Sequence, residues 1–215
     1  MKMTKKRNIV LLIAAFFFIM GMAITVADAA EHKTGVPAVN IPNVSIVMKC
    51  PQCALFGTTP PDGKIEITLA EVLKVHGFCA LGGSFSFRAA KEGLKLLYGS
   101  ELPPRHKIKV QTSHHCCQAA ALAYITGARG KDYGAFHAQG KLILLPEEDK
   151  KIVFTDIPSG KSITLRPLFN PHDTMEPLLK RAFKDPSFAP EVTKVMNEKI
   201  HEYLTAPIEK LFIVE

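Results

Sequence analysis

Two imidazole–thiol units constrain this chain more than any other feature. His76-Gly77-Phe78-Cys79 and His114-His115-Cys116-Cys117 each place a histidine three residues ahead of a cysteine. Residues at i and i+3 share a face of a helix or tight turn, so each unit can present one nitrogen and one sulfur together. Two units make a tetrahedral set of two nitrogens and two sulfurs. That set suits zinc, and copper or iron after it. For one ion to take His76, Cys79, His114 and Cys117, the fold has to join segments 38 residues apart. His115 and Cys116 point elsewhere from such a turn and stand as alternates or supports.

The compartment decides what the cysteines mean. Residues 1–8 carry Lys2, Lys5, Lys6 and Arg7 and no acid, and an apolar run follows from Ile9 to Val26. Ala27-Asp28-Ala29 then reads as a signal-peptidase site. A signal peptide over 1–29 and a periplasmic or secreted product are expected. The alternative is an uncleaved anchor, since 18 apolar residues just suffice to span a bilayer. Cleavage removes four of 27 basic and one of 20 acidic residues, leaving a net +4 rather than +7. No Lys/Arg run and no basic–aromatic interleaving survives, which argues against a nucleic-acid partner. All five cysteines remain: Cys50, Cys53, Cys79, Cys116 and Cys117. Disulfides persist outside the cytoplasm, and an odd count leaves at least one thiol for another task.

The pattern along the chain predicts an α+β fold, a mainly antiparallel or mixed sheet flanked by helices. Residues 30–67 read as an extended leader carrying Cys50-Pro51-Gln52-Cys53, and 68–215 as the main domain. Thr68-Leu69-Ala70-Glu71 is a capping box that opens a helix to about Val75. "GFCALGG" reads as a turn, followed by a helix over about 84–97. Residues 106–112 alternate as a strand, and "AAALAYIT" is helical up to Gly127. Strands are expected at 136–145, 150–157 and 161–168, with a hairpin turn in "IPSGK". A helix capped by Asp173–Glu176, a second one opened by Pro190, and the strand-like "KLFIV" end the chain.

Residues from about 68 to 168 resemble the FmdE family, which takes its name from formylmethanofuran dehydrogenase operons. The family has a capped helix leading into H-G-H-x-C-P-G, then a helix with R-A-A. Here stand His76-Gly77-Phe78-Cys79, Gly82 and Arg88-Ala89-Ala90. The family's later cysteine, T-G helix end and glycine/lysine loop are matched by Cys117, Thr126-Gly127 and Gly130-Lys131. Phe78 replaces a family histidine, and Ala80 occupies the family cysteine position with Cys79 one residue before it. Ala120 and Ala128 replace an Asp and a Cys, and the motif proline and the C-terminal zinc-ribbon cysteines are missing. The resemblance implies a metal-binding protein, often for zinc, with His76, Cys79 and Cys117 as carried-over ligands. His114 rests on local spacing instead.

Other motifs narrow the classes. Cys50/Cys53 is a disulfide, a metal-gathering pair or a thiol-exchange pair. A thioredoxin unit would need a long helix after it, where "GTTPPDGK" stands. Ala54 after Cys53 excludes a c-type haem site. No P-loop and no G-x-S-x-G occurs. His137 is a further candidate ligand or substrate contact. The apolar face of 190–204 is core or, alternatively, a homodimer contact. The leading expectation is an exported protein holding a divalent metal, zinc first. A periplasmic thiol–disulfide or metal-handling protein is one alternative. A hydrolase with a Cys–His nucleophile is another, and a binding module for a small anionic or tetrapyrrole ligand is a third.

Overall fold

The capping box forms as its residues dictate. Thr68 Oγ1 accepts from the Glu71 N–H at 3.2 Å, and Glu71 Oε2 accepts from the Thr68 N–H at 2.7 Å. Two donors that a helix start leaves open are thereby satisfied. The computed structural model describes residues 38–76, 79–113, 116–132 and 140–215. The expected signal segment lies outside the described residues. Among those described, no helix is long and apolar enough to cross a membrane.

The elements run β1 (Ser45–Lys49), α1 (Pro51–Leu55), β2 (Lys64–Thr68), α2 (Leu69–His76), α3 (Ala80–Tyr98), β3 (Ile108–Ser113), α4 (Cys116–Thr126), β4 (Leu142–Leu145), β5 (Ile152–Asp156), β6 (Ser162–Pro167), α5 (Met175–Lys184), α6 (Ala189–Thr205) and β7 (Phe212–Val214). Strands β1 and β2 pair antiparallel as a sheet of two. The main sheet has five strands in the order β4-β3-β5-β6-β7. Among the described strands only β3 and β4 pair parallel, because α4 carries the chain back across the sheet between them. The other neighbours are antiparallel, so the class is α+β. Residues 37–215 form one unit by contact, and Ile46 and Met48 of β1 belong to its buried core.

Helix α3 is the centre of that core. Leu81, Phe85, Phe87, Ala89, Ala90 and Leu94 are buried along it, each large one worth about 1.5–3 kcal/mol in removed apolar surface. Gly93 lets the helix lie directly on the sheet, since a Cβ there would fall 2.6 Å from the Phe154 ring. Arg88 reaches to the end of α6, donating to the carbonyls of Leu204 at 2.7 Å and Ala206 at 3.0 Å. This accounts for Arg88-Ala89-Ala90: two small buried residues for packing and one long cation to satisfy orphan carbonyls.

Three local readings change. Helix α3 begins at Ala80, four residues earlier than its periodicity predicts, because Gly82 and Gly83 serve close packing there rather than a turn. No side-chain bond caps α5 at Thr174; instead the Met175 and Glu176 N–H groups bond the carbonyl of His172. The C-x-x-C opens a helix, but one of only five residues. Gly127 does end α4, with φ +75° and its N–H bonded to the Ala123 carbonyl.

Candidate metal centre

Helix starts and one turn deliver three metal-ligating side chains to a single point. Cys79 is the residue just ahead of α3, and Cys117 lies in the first turn of α4. His172 comes from the turn between β6 and α5. The two sulfurs and a ring nitrogen of His172 lie within 4.8 Å of one another. Nε2 of His172 is 3.0 Å from Cys79 Sγ and 3.8 Å from Cys117 Sγ. Around a tetrahedral zinc, ligand atoms sit about 3.5–3.8 Å apart, given bonds of about 2.3 Å to sulfur and 2.0 Å to nitrogen. The observed separations bracket that spacing.

Gly82 makes the convergence sterically feasible. A Cβ at this position would lie 2.7 Å from Cys117 Cβ and 2.8 Å from His172 Nε2. Any larger residue would occupy the space the three ligand atoms share. The glycine of the sequence motif is therefore a close-approach residue inside a helix, not a turn former.

The His172 turn is held from three directions. Asn170 Oδ1 accepts from the His172 backbone N–H at 3.2 Å and lies 3.2 Å from its ring Nδ1. Nε2 is the ring nitrogen that faces the sulfurs, and the contact with Asn170 holds the ring in that orientation. The Tyr203 hydroxyl, buried under α6, donates to the Pro171 carbonyl at 3.0 Å. Phe169 packs against Phe85 and Tyr203 at ring separations of 5.5 and 5.9 Å. An imidazole anchored this way loses little freedom on taking an ion.

The electrostatics suit a cation. The Cys79 thiol is pulled far below its ordinary value, chiefly by its hydrogen bond with Cys117 and further by His172, against an opposing push from burial. His172 is raised in turn by its bond to Cys79, again against burial. Together they favour a thiolate beside an imidazolium, and a metal ion replaces the protons that such a cluster binds.

Of the residues expected from sequence, the structure brings Cys79 and Cys117 together. His76 ends α2 and Cys116 begins α4, but their side chains lie outside what is described, as do His114, His115 and His137 altogether. Cys50 and Cys53 form a disulfide, with Cα atoms 5.2 Å apart. The residue that sequence reasoning missed is His172. Its signal was "NPHDT": an Asn-Pro turn whose Asn can bond the N–H two residues on, placing a histidine three residues ahead of a helix.

A cavity of about 160 Å³ adjoins the cluster. Gly82 and His172 line it together with Ser113, Gln118, Glu147 and Lys150. Gln118 Oε1 takes hydrogen bonds from Thr112 Oγ1 at 3.3 Å and Ser113 Oγ at 2.9 Å, fixing the amide at the cavity wall.

An α+β scaffold that gathers two thiols and an imidazole beside a small polar cavity defines a class of protein compatible with metal binding. The family follows from comparison: the family model described as "FmdE, Molybdenum formylmethanofuran dehydrogenase operon" matches residues 75–213, more than half of the chain, and the chain belongs to the FmdE family. The match extends beyond the motifs of residues 68–168, and it includes His172. No curated protein and no solved structure matches the chain.

Proposed function

We propose that this is an exported zinc-binding protein whose ion is held by Cys79, Cys117 and Nε2 of His172. The observation that carries the reading is the convergence of two sulfurs and one nitrogen within 4.8 Å, with Asn170 orienting the imidazole. Soft thiolates with an imidazole select zinc over the hard, oxygen-seeking cations. Export is supported by the basic start, apolar run and Ala27-Asp28-Ala29 of the sequence, and by a Cys50–Cys53 bond that suits an oxidising compartment.

Three ligands among the described residues leave a fourth position for a further side chain, a water or a small polar ligand, and the cavity adjoins it. When bound, the ion supplies Lewis acidity at that position. The chain's own groups do the rest. Gln118 offers a fixed amide, Lys150 and Glu147 offer opposite charges, and Gly82 keeps the approach clear. The test is elemental analysis of protein purified without chelator or affinity metal. One zinc per chain, lost in His172→Ala and in Cys117→Ala but kept in Cys50→Ala, is the expected result. Metal-free protein with an intact fold would overturn the reading.

One observation favours a second reading. Cys79 Sγ, His172 Nε2 and Asn170 Oδ1 form a chain of contacts at 3.0 and 3.2 Å, the arrangement of a thiolate nucleophile, its base and an orienting amide. A nucleophile of this kind works without metal. Thioester or ester hydrolysis that survives chelation and disappears on stoichiometric alkylation of Cys79 would select it over the zinc reading.

A further inference from the structure

The second gathering of metal-ligating groups lies at the other cysteine pair, and it includes a histidine that no motif singles out. Ligand atoms of Cys50, Cys53 and His106 fall within 4.8 Å of one another. Cys50 is fully buried at the end of β1, while Cys53 and His106 are half-buried. Both cysteines precede the family-matched region, and His106 lies within it.

The backbone goes to some length to put His106 there. It is the only described non-glycine residue with positive φ, at 69°, a conformation that persists only where surroundings over-determine it. The surroundings do so. Lys49 N–H bonds the Pro103 carbonyl at 2.9 Å and Arg105 N–H bonds the Lys49 carbonyl at 2.8 Å, tying this segment to the residue before Cys50. The Arg105 guanidinium donates to the carbonyls of Tyr124 and Ile125 at the end of α4. The His106 N–H bonds the Thr126 carbonyl at 3.0 Å. The imidazole lies against Gly127, where a Cβ would come within 2.4 Å of Nδ1. A histidine is thus fixed, at the expense of its own backbone preference, beside a pair of sulfurs.

A disulfide has no lone-pair demand that an imidazole answers, whereas a pair of thiolates with one imidazole is a ligand set for a thiophilic ion. We propose that Cys50, Cys53 and His106 form a second metal site gated by thiol oxidation: a disulfide in the oxidised state, and in the reduced state a site of two sulfurs and one nitrogen for a thiophilic ion. The conversion balances with a dithiol as reductant. Its attack breaks the Cys50–Cys53 bond, two electrons and two protons pass to the pair, and the reductant leaves as its own disulfide. On metal uptake the two thiols release their protons to solvent while the sulfurs and the imidazole bind the ion. Exchange with a second disulfide reverses the conversion: the Cys50–Cys53 bond reforms, the ion is released, and the two electrons with two protons leave on that disulfide as a dithiol. Half-buried Cys53 gives the incoming thiolate access, and buried Cys50 is the leaving sulfur.

The proposal stands apart from the Cys79 centre, and the test keeps the two distinguishable. Cadmium is titrated into anaerobic protein before and after reduction by a dithiol that is then removed, with thiolate-to-cadmium charge-transfer absorption as the readout. The oxidised protein should bind one equivalent and the reduced protein two. Cys53→Ser should abolish the second equivalent without touching the first. His106→Ala should weaken the second at least about tenfold, the lower end of what even an outer-shell partner contributes. In Cys79→Ser/Cys116→Ser/Cys117→Ser protein with a native circular-dichroism spectrum, the reduced form should still bind one equivalent and the oxidised form none. Equal stoichiometry before and after reduction of wild type overturns the proposal. So does a second equivalent whose affinity His106→Ala leaves unchanged. Loss of the first equivalent alone would count against the Cys79 centre and leave this one standing.

Discussion

At the scale of single residues, the centre depends on a proton balance and on an absence of side chain. The folded state lowers the Cys79 thiol from its ordinary 9.0, mainly through Cys117 and then His172. A group shifted down contributes stability that is present above its unfolded value and is lost as pH falls through the folded one. His172 is shifted up from 6.5, so its contribution is present below that value and is lost as pH rises through the folded one. Chelator-treated protein should therefore alkylate at Cys79 with iodoacetamide at about pH 6, where an ordinary thiol is almost wholly protonated. His172→Ala should slow that reaction at the same pH, and a rate equal to that of a free thiol in wild type would contradict the assignment. Gly82→Ala is the steric counterpart. Its methyl would fall within 3 Å of both Cys117 and His172, and overpacking of this kind costs about 1–3 kcal/mol. Metal stoichiometry should drop with it, as read by elemental analysis, whereas Gly130→Ala, with nothing near its Cβ, should keep its metal. Cys79 and Cys117 were visible in the sequence because spacing marked them. His172 was not, because a ligand 55 residues beyond Cys117 is joined to it only by tertiary folding.

At the scale of elements, the sequence was most legible where local chemistry acts alone. The Thr68/Glu71 box, the Gly127 stop and the Asp156–Lys161 hairpin all form from residues a few positions apart. It was least legible where packing overrides propensity. Gly82 and Gly83 look like helix breakers, yet they open α3, because Cys117, His172 and Leu73 leave no room for side chains there. Arg88 shows the same principle in reverse. From the sequence it is one residue of a family motif; in the fold it closes the end of α6 from 116 residues away. Arg88→Ala should lower stability by about 2–3 kcal/mol, the scale of lost charge-assisted hydrogen bonds to partly buried carbonyls. Chemical denaturation measures this directly. Zinc stoichiometry should be unchanged, since Arg88 touches no ligand; a variant as stable as wild type would show that the clamp contributes nothing.

At the scale of the whole molecule, the α+β class followed from the order of periodic segments, but not the way the sheet unites them. The parallel β3–β4 pair arises from the α4 crossover, and the same crossover sets Cys117 at a helix start facing α3. Cys79 ahead of α3, Cys117 in the first turn of α4 and His172 from the turn after β6 meet through that arrangement. The central claim is that one ion is held by two sulfurs and an imidazole from three separate segments. X-ray absorption at the zinc edge, on protein as purified, tests it most directly. The account predicts two sulfurs at about 2.3 Å and an imidazole nitrogen at about 2.0 Å, with the nitrogen shell diminished in His172→Ala. A shell of four sulfurs, or one of oxygen and nitrogen alone, would contradict it.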